Sequence, residues 1–529
     1  MQNKIFYLLC LAGLVSSCSK DLNQQPLLSN TSATQYSTPA GYKQVLAKVY
    51  GSYTLTSSNG TGASDVNVAG ISDPANTDFI RAFWTVQEQT TDEDICAWND
   101  GALQAFHNFN WTPSNVYITA IYTRSLFQIT VCNELIRNAS EEAIAGHKFA
   151  AADAENIRQY RAEARFLRAF QYWVLLDLFG NPPFITEKDP IGKYIPKQIK
   201  RADLFAFIES ELKDIDGSLA APRHNEYGRV DQAAAWALLA RLYLNAEVYL
   251  GAGQKKYTEA VQSAAKVLNA GYVLMQPYRN LFLGDNDKNN PEVILPIAYD
   301  ASTTQNFGGT TFLICSAHGT DPTDNKGFGI PGGGWQGNRS TKPLPQRFGD
   351  YSGAADKRAL FGAGSLEVAD VLTFANGVSV HKFSNLRSDN TTPASPNGVL
   401  CSTDFPLFRM GEMYLVYAEA VLRGGTGGDE ATALTYVNKL RRRGYENNTN
   451  DLTSLGLQDV LNERQRELYW EGFRRTDLIR YGQFTGSAYL WPWKGGASAG
   501  TSVDAHFALF PIPSTDIIAN PNLTQNPGY

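Results

Sequence analysis

The sequence predicts a mainly α fold, a helical-repeat scaffold that carries a loop-rich inserted lobe with short strands. Three observations predict it. A long apolar stripe with helical spacing runs through residues 157–179. Two pairs of helical segments, at 231–269 and at about 407–443, carry the same dipeptides at the same offset. Between them, residues 280–404 lose helical periodicity and fill with Gly, Asn, Thr and Pro.

In "IRQYRAEARFLRAFQYWVLLDLF", Ile157, Tyr160, Ala164, Leu167, Phe170, Val174 and Leu178 recur three and four apart, which draws one stripe on a helix. Arg158, Arg161, Arg165 and Arg168 fall mostly off that stripe, and Gly180, Pro182 and Pro183 end the helix. Helices at 231–249 and 257–269 make the first hairpin, and helices at about 407–423 and 429–443 make the second. Tyr243-Leu244 and Glu259-Ala260 recur as Tyr414-Leu415 and Glu430-Ala431. This weak self-similarity fits tetratricopeptide-like units, helix–turn–helix repeats of about 34 residues. A last helix is expected from about 457 to 480. The 280–404 lobe holds β-like runs, "EVILPIAY" and "TTFLIC", and residues 58–112 share its loop character. Binding residues tend to sit on loops held by a rigid scaffold, so these two segments are where a site is expected.

The net charge is −6 and no basic stripe stands out, which argues against a nucleic-acid partner. At the N-terminus, Lys4 precedes an apolar run, Ile5 to Val15, too short to cross a bilayer as a helix. "LVSSC" then places Cys18 after two serines and resembles a bacterial lipobox. The expected organisation is a signal peptide over 1–17 and a lipidated tether over 18–38. An N-terminal scaffold over 39–279 holds a binding loop at 58–112. The lobe follows at 280–404, then C-terminal repeats over 405–529. Each buried methylene contributes about 0.8 kcal/mol, so a multiply acylated Cys18 is a lasting anchor. A secreted soluble protein with a chance cysteine is the alternative. Cys96, Cys132, Cys315 and Cys401 show no CxxC spacing, which argues against zinc and leaves a disulfide open.

"NERQRELYWEGFRRTDLIRYGQF" (462–484), "ARFLRAFQYWVLLDLFGNPPF" (164–184) and "FPIPSTDIIANPNLTQNPGY" (510–529) closely resemble the SusD/RagB family of surface glycan-binding lipoproteins. "NFGGTTFLIC", "LFLGDNDKNN" and "YLWPWKGGASAGTSV" extend the resemblance toward the family's starch-utilisation prototype. The resemblance implies a tetratricopeptide-type scaffold and a non-enzymatic role. It implies a lipid-anchored position on the outer membrane, facing the cell surface. There the protein would hold oligosaccharide over a TonB-dependent transporter of the SusC type.

Sugars present C–H faces and a rim of hydroxyls, so their sites combine aromatic faces with a few polar forks. The resemblance places Asp73, Arg81, Trp98 and Trp335 at the prototype's starch-binding positions, with Phe307 where the prototype has a tyrosine. Cys96 stands in the place of a second tryptophan and Gly101 in that of a sugar-binding asparagine; Asn99 and Asp100 lie close enough to substitute. Trp98 is read as a sugar platform, with a packed loop anchor as the other reading, and Cys96 as a small wall of the site. Asp92, Glu93 and Asp94 are read as loop-shaping or solvated. The resemblance also implies a structural calcium ion. Asp287 and Asp404 match two of its acidic ligands and Ser402 replaces another; the competing reading of "DNDKNN" is an Asx-rich turn. No cofactor is otherwise expected.

Glu463, Glu467, Glu471 and Asp477 alternate with arginines, a pattern of structural ion pairs rather than of a glycosidase acid and base. The expected function is binding a glucan, with a starch-like α-glucan first and a β-linked glucan second. The rivals are a lipid-anchored glycosidase and a helical-repeat platform with no sugar site of its own.

Overall fold

The computed structural model describes residues 31–321 and 325–529, so the expected signal peptide and Cys18 lie outside the described residues. It is mainly helical with four small two-stranded ladders. Helices Pro39–Thr54, Val116–Asn138 and Ala151–Phe179 pack together, and Arg201–Asp214 lies on the last of these. Next come Gln232–Leu244 and Tyr257–Leu268, then Met410–Leu422 and Glu430–Tyr445, each stacked on its neighbour. The alanines of Gln232–Leu244 are fully buried, which lets the helix backbones approach closely.

The long helix begins at Ala151, six residues before the apolar stripe, because its first turns are polar and exposed. Arg168 is not on a solvent face: it is 2% exposed and pairs with Glu187 at 2.5 Å and Glu211 at 2.8 Å. Three further expectations fail. Residues 405–409 form a strand, not the start of a helix; Phe405–Arg409 pairs antiparallel with Val293–Ile297. This ladder brings the entry and exit of the lobe side by side. "TTFLIC" is helical, within Gly309–Ala317, where every residue is buried and packing outweighs the β-preference of its branched side chains. Segment 58–112 contains a helix buried along its whole length, Phe79–Glu88, and a second, Gly101–Asn108.

The expected helix 457–480 breaks into Leu457–Leu468 and Arg474–Arg480. At the break, Trp470 and Gly472 have φ of 63° and 82°, and a Cβ on Gly472 would lie 2.7 Å from the ring of Phe83. The freed backbone N–H groups are met by two buried acids. Trp470 donates to Glu93 Oε2 at 3.1 Å, and Gly472 donates to Glu88 Oε1 at 2.6 Å.

A buried ionic cluster joins the ladder to these C-terminal helices. Arg409 bonds Glu292 at 2.9 Å, Glu467 at 2.6 Å and Glu471 at 2.7 Å. Arg443 bridges Glu292 and Glu467, Arg358 reaches Asp356, Glu463 and Glu467, and Lys382 reaches Glu471. At Glu467 burial is outweighed by Arg443, Arg409 and Arg358, which hold its carboxyl well below the ordinary range. Asp477 pairs with Arg464 and Arg480, so these acids are structural, as their spacing suggested. Breaking such a cluster by removing one partner costs about 3–5 kcal/mol. Arg409→Ala should lose stability on that scale, measured as the midpoint of urea unfolding; a shift within error of wild type would remove the cluster from its central place.

Burial raises Glu93 to about 7, and burial together with the charge of Glu93 raises Glu88 well above the ordinary range. Between pH about 4.5 and 7 the folded protein therefore holds protons that the unfolded chain has released, so this pair destabilises the fold as pH rises through that window. His107 and His381, which burial lowers to about 4, act in the opposite direction below their unfolded value. The pair is thus read from a difference curve. The melting temperature of Glu93→Gln minus that of wild type should grow from pH 5 to pH 7.5, and a flat difference would contradict the assignment.

Candidate functional site

The acid stretch "TDEDICAWND" is an anchor that ends in a half-buried tryptophan. Asp92 is fully buried and takes a two-pronged bond from Arg474, Nε to Oδ1 and Nη2 to Oδ2, both at 2.7 Å. Tyr489 donates its hydroxyl to the same carboxylate at 2.7 Å. At Asp92 burial is outweighed by Arg474, so the carboxyl stays below its ordinary range. Asp92, Glu93 and Asp94 are at most 1% exposed, so they shape the loop and none is solvated. Cys96 follows in a short strand, Ile95–Cys96, paired with Asn338–Arg339. Its thiol is 3% exposed, and burial pushes it up to about 12, which excludes a reactive thiolate.

Trp98 then emerges half-buried, held against Gly337. Gly337 has φ of 116°, and a Cβ there would lie 2.3 Å from the indole nitrogen, so only glycine leaves room for the ring. Arg81 sits on the buried helix Phe79–Glu88, with its guanidinium 4.7 Å from the ring centre of Phe312 and 5.9 Å from that of Trp98. It donates to Asp73 Oδ2 at 3.2 Å and to the Phe307 carbonyl at 3.4 Å. Burial lowers Arg81, and Asp73 opposes the shift. Asp73 remains 49% exposed and accepts one further bond, from Ala75 N at 3.0 Å, so about two of its four acceptor positions stay open. Phe307 and Trp335 are half-buried and face each other, with ring centres 6.3 Å apart at 59°.

The structure therefore brings Asp73, Arg81, Trp98, Phe307 and Trp335 into one linked cluster, assembled from the 58–112 segment and the lobe. It combines half-buried aromatic rings with a charged fork, the two kinds of group that the C–H faces and hydroxyls of a sugar require. Asn99 is exposed at its edge. Asp100 is committed elsewhere: it caps Gly101–Asn108 and accepts the Tyr117 hydroxyl at 2.6 Å. Gly101 is exposed with open space at its Cβ position, whereas the burial of Cys96 leaves no room there for a larger ring.

Sequence reasoning missed Phe312, Gly337 and Tyr117, which support the cluster from beneath. Their signal was faint: Phe312 lies in a run read as a strand, and Gly337 is one glycine among 45.

At the second expected site, Asp404 is 3% exposed and raised to about 7, chiefly by burial. Its oxygens accept from Tyr299 N at 2.7 Å and the Tyr227 hydroxyl at 2.6 Å, Ser402 Oγ accepts from Ala301 N, and Asp287 is exposed. Among the described residues no three acidic, histidine or cysteine side chains gather where they could hold a metal ion. Asp287 acts on Asp404 to raise it further, so the two expected calcium ligands share one neighbourhood. The four described cysteines are free thiols, all buried.

Residues 33–244 match a family described as "Starch-binding associating with outer membrane", and residues 269–529 match the family described as "SusD family". The chain is 34% identical to the starch-binding protein SusD of Bacteroides thetaiotaomicron, over 98% of this chain and 97% of that protein. Among solved structures, a SusD superfamily protein from the same organism aligns with a TM-score of 0.71 at 20% identity, over 93% of this chain and all of the other. Surface glycan-binding protein A from Bacteroides thetaiotaomicron, in complex with laminarihexaose, aligns with a TM-score of 0.68 at 18% identity, over 92% of this chain and 99% of the other. With a relative this similar along almost its entire length, and with the helical-repeat scaffold those structures share, the chain belongs to the SusD/RagB family.

Proposed function

We propose that the protein binds a glucan oligosaccharide on the Trp98, Phe307 and Trp335 rings, with Asp73 and Arg81 hydrogen-bonding its hydroxyls. The observation that carries this reading is the convergence of five residues, from segments more than 200 positions apart, on one partly open aromatic cluster. A buried helix and a buried ion pair hold that cluster in place, so the rings are ordered before any ligand arrives. The 34% identity to a starch-binding protein supports a starch-like α-glucan. A β-linked glucan is the second reading, favoured by the lack of a second tryptophan at Cys96 and by a structural relative that holds laminarihexaose. The role is capture rather than catalysis, with the C-terminal acids committed to arginines.

The same reading includes an outer-membrane position, facing the cell surface, and delivery of the oligosaccharide to a SusC-type TonB-dependent transporter. The lipobox-like "LVSSC" supports a lipid anchor at Cys18. No helix among the described residues is long and apolar enough to cross a membrane.

Trp98→Ala and Trp335→Ala should each weaken glucan binding by about 0.5–1.5 kcal/mol, the scale of an aromatic contact beyond its buried area. Isothermal titration with maltoheptaose and with laminarihexaose measures the loss and ranks the two glucans. Unchanged affinity in both folded variants would place the site elsewhere.

Cys18→Ala should move the protein from the membrane to the soluble fraction, or leave it unprocessed. A variant that matures normally and still sediments with outer membrane, in cells lacking the transporter, would refute the lipid anchor.

A further inference from the structure

A cavity of about 730 Å³ opens in the lobe beside the aromatic cluster, and no residue of the proposed platform is spent on it. Gly337 belongs to both places: it backs the Trp98 ring and lines the cavity. Gln336, exposed on the cavity wall, directly follows Trp335 in the chain. One wall is a triangle of three touching rings, with Phe328 also 4.4 Å from His381 at 55°. His318 lies 3.8 Å from Phe328 and 4.6 Å from His381, nearly parallel to both. His318 is 4% exposed, and its Nε2 has no hydrogen-bond partner. At the mouth stands Phe374, 41% exposed.

The cavity is built rather than a gap between loose turns. Arg339 ties its two sides together: Nη1 donates to the Gly337 carbonyl at 2.9 Å, and Nη2 and Nε donate to the carbonyls of Val371 and Asn376 at 2.9 and 2.5 Å. The turn that carries Phe374 is thereby fixed relative to the strand behind Trp98. Burial keeps both histidines of the wall uncharged near neutral pH, and Asp321, Gln336 and Ser379 among the lining residues carry groups that hydrogen-bond hydroxyls, which suits a ligand rich in them.

We infer that this cavity is a second sugar subsite, which receives the pyranose rings that extend beyond Trp335 when a long oligosaccharide lies on the platform. The inference rests on the glucan reading above. Phe374 stacks on a ring at the mouth, and Gln336 meets its hydroxyls. Short oligosaccharides occupy the platform alone; long ones use both.

Length dependence tests it. Maltotriose and maltoheptaose, or the matching laminari-oligosaccharides if those bind better, are titrated into wild type, Phe374→Ala and Ala375→Trp. Ala375 is exposed on the cavity lining, so its replacement fills the space without entering the core. Both variants should melt like wild type and bind the trimer unchanged. For the heptamer they should lose about 3- to 10-fold in affinity, the worth of one aromatic contact. Equal affinity for the heptamer in all three proteins overturns the subsite, and so does an equal loss for both lengths. If wild type binds neither oligosaccharide series, the glucan reading fails, and the subsite falls with it.

Discussion

The bond between Asp92 and Arg474 is the constraint on which the binding face depends. It joins a loop near the N-terminus to the start of the last repeat helix, across 382 positions of chain, in a setting with no solvent on either side. A buried charge is costly unless paired and hydrogen-bonded, so the loop has one favourable place to sit. Glu93 and Glu88 add a second requirement, because the helix break at Trp470 and Gly472 is closed only when these acids meet its backbone N–H groups. Scaffold and loop therefore fold against one another. The direction in which Trp98 leaves the core is set by contacts made five to ten residues earlier.

Arg81 shows the same economy at the surface. Its guanidinium lies over the Phe312 ring and reaches out to a half-exposed Asp73. A lysine ammonium in that place would be a strongly hydrated point charge with no planar face to lay on the ring. The arginine keeps an aromatic contact on its inner side and a hydrogen-bonding fork on its outer side. The fork is consequently rigid, and the acceptor positions left on Asp73 point away from the protein.

Much of this was legible in the sequence, and the exceptions are physical. The stripe from Ile157 to Leu178 marks its helix because one face is apolar and the rest is not. The alanine-rich hairpin and its echo at Tyr414 mark the repeats. Gly309–Ala317 was read as a strand because its residues prefer strands in isolation; it is a helix because it is enclosed on all sides. The break at 469–473 was invisible because "ELYWEGF" continues a helical pattern, and its cause lies in Glu88 and Glu93, far away in sequence. Asp73, Arg81, Trp98, Phe307 and Trp335 were found by resemblance to a family. The residues that hold them, Gly337 above all, were not, because a glycine's role is a matter of the space around it.

The ladder between Val293–Ile297 and Phe405–Arg409 has a consequence for how such a protein can vary. It brings together the two ends of an excursion of more than a hundred residues, and Arg358 and Lys382 pin that excursion to the C-terminal helices at two further points. The entropy of closing a loop grows only with the logarithm of its length, about 0.6 kcal/mol for each doubling. Between the seam and those two anchors, the loops of the lobe can lengthen or shorten at little cost to the repeats that carry it. Binding preference and architecture are thereby separable, and one helical frame can serve as the chassis for many surfaces.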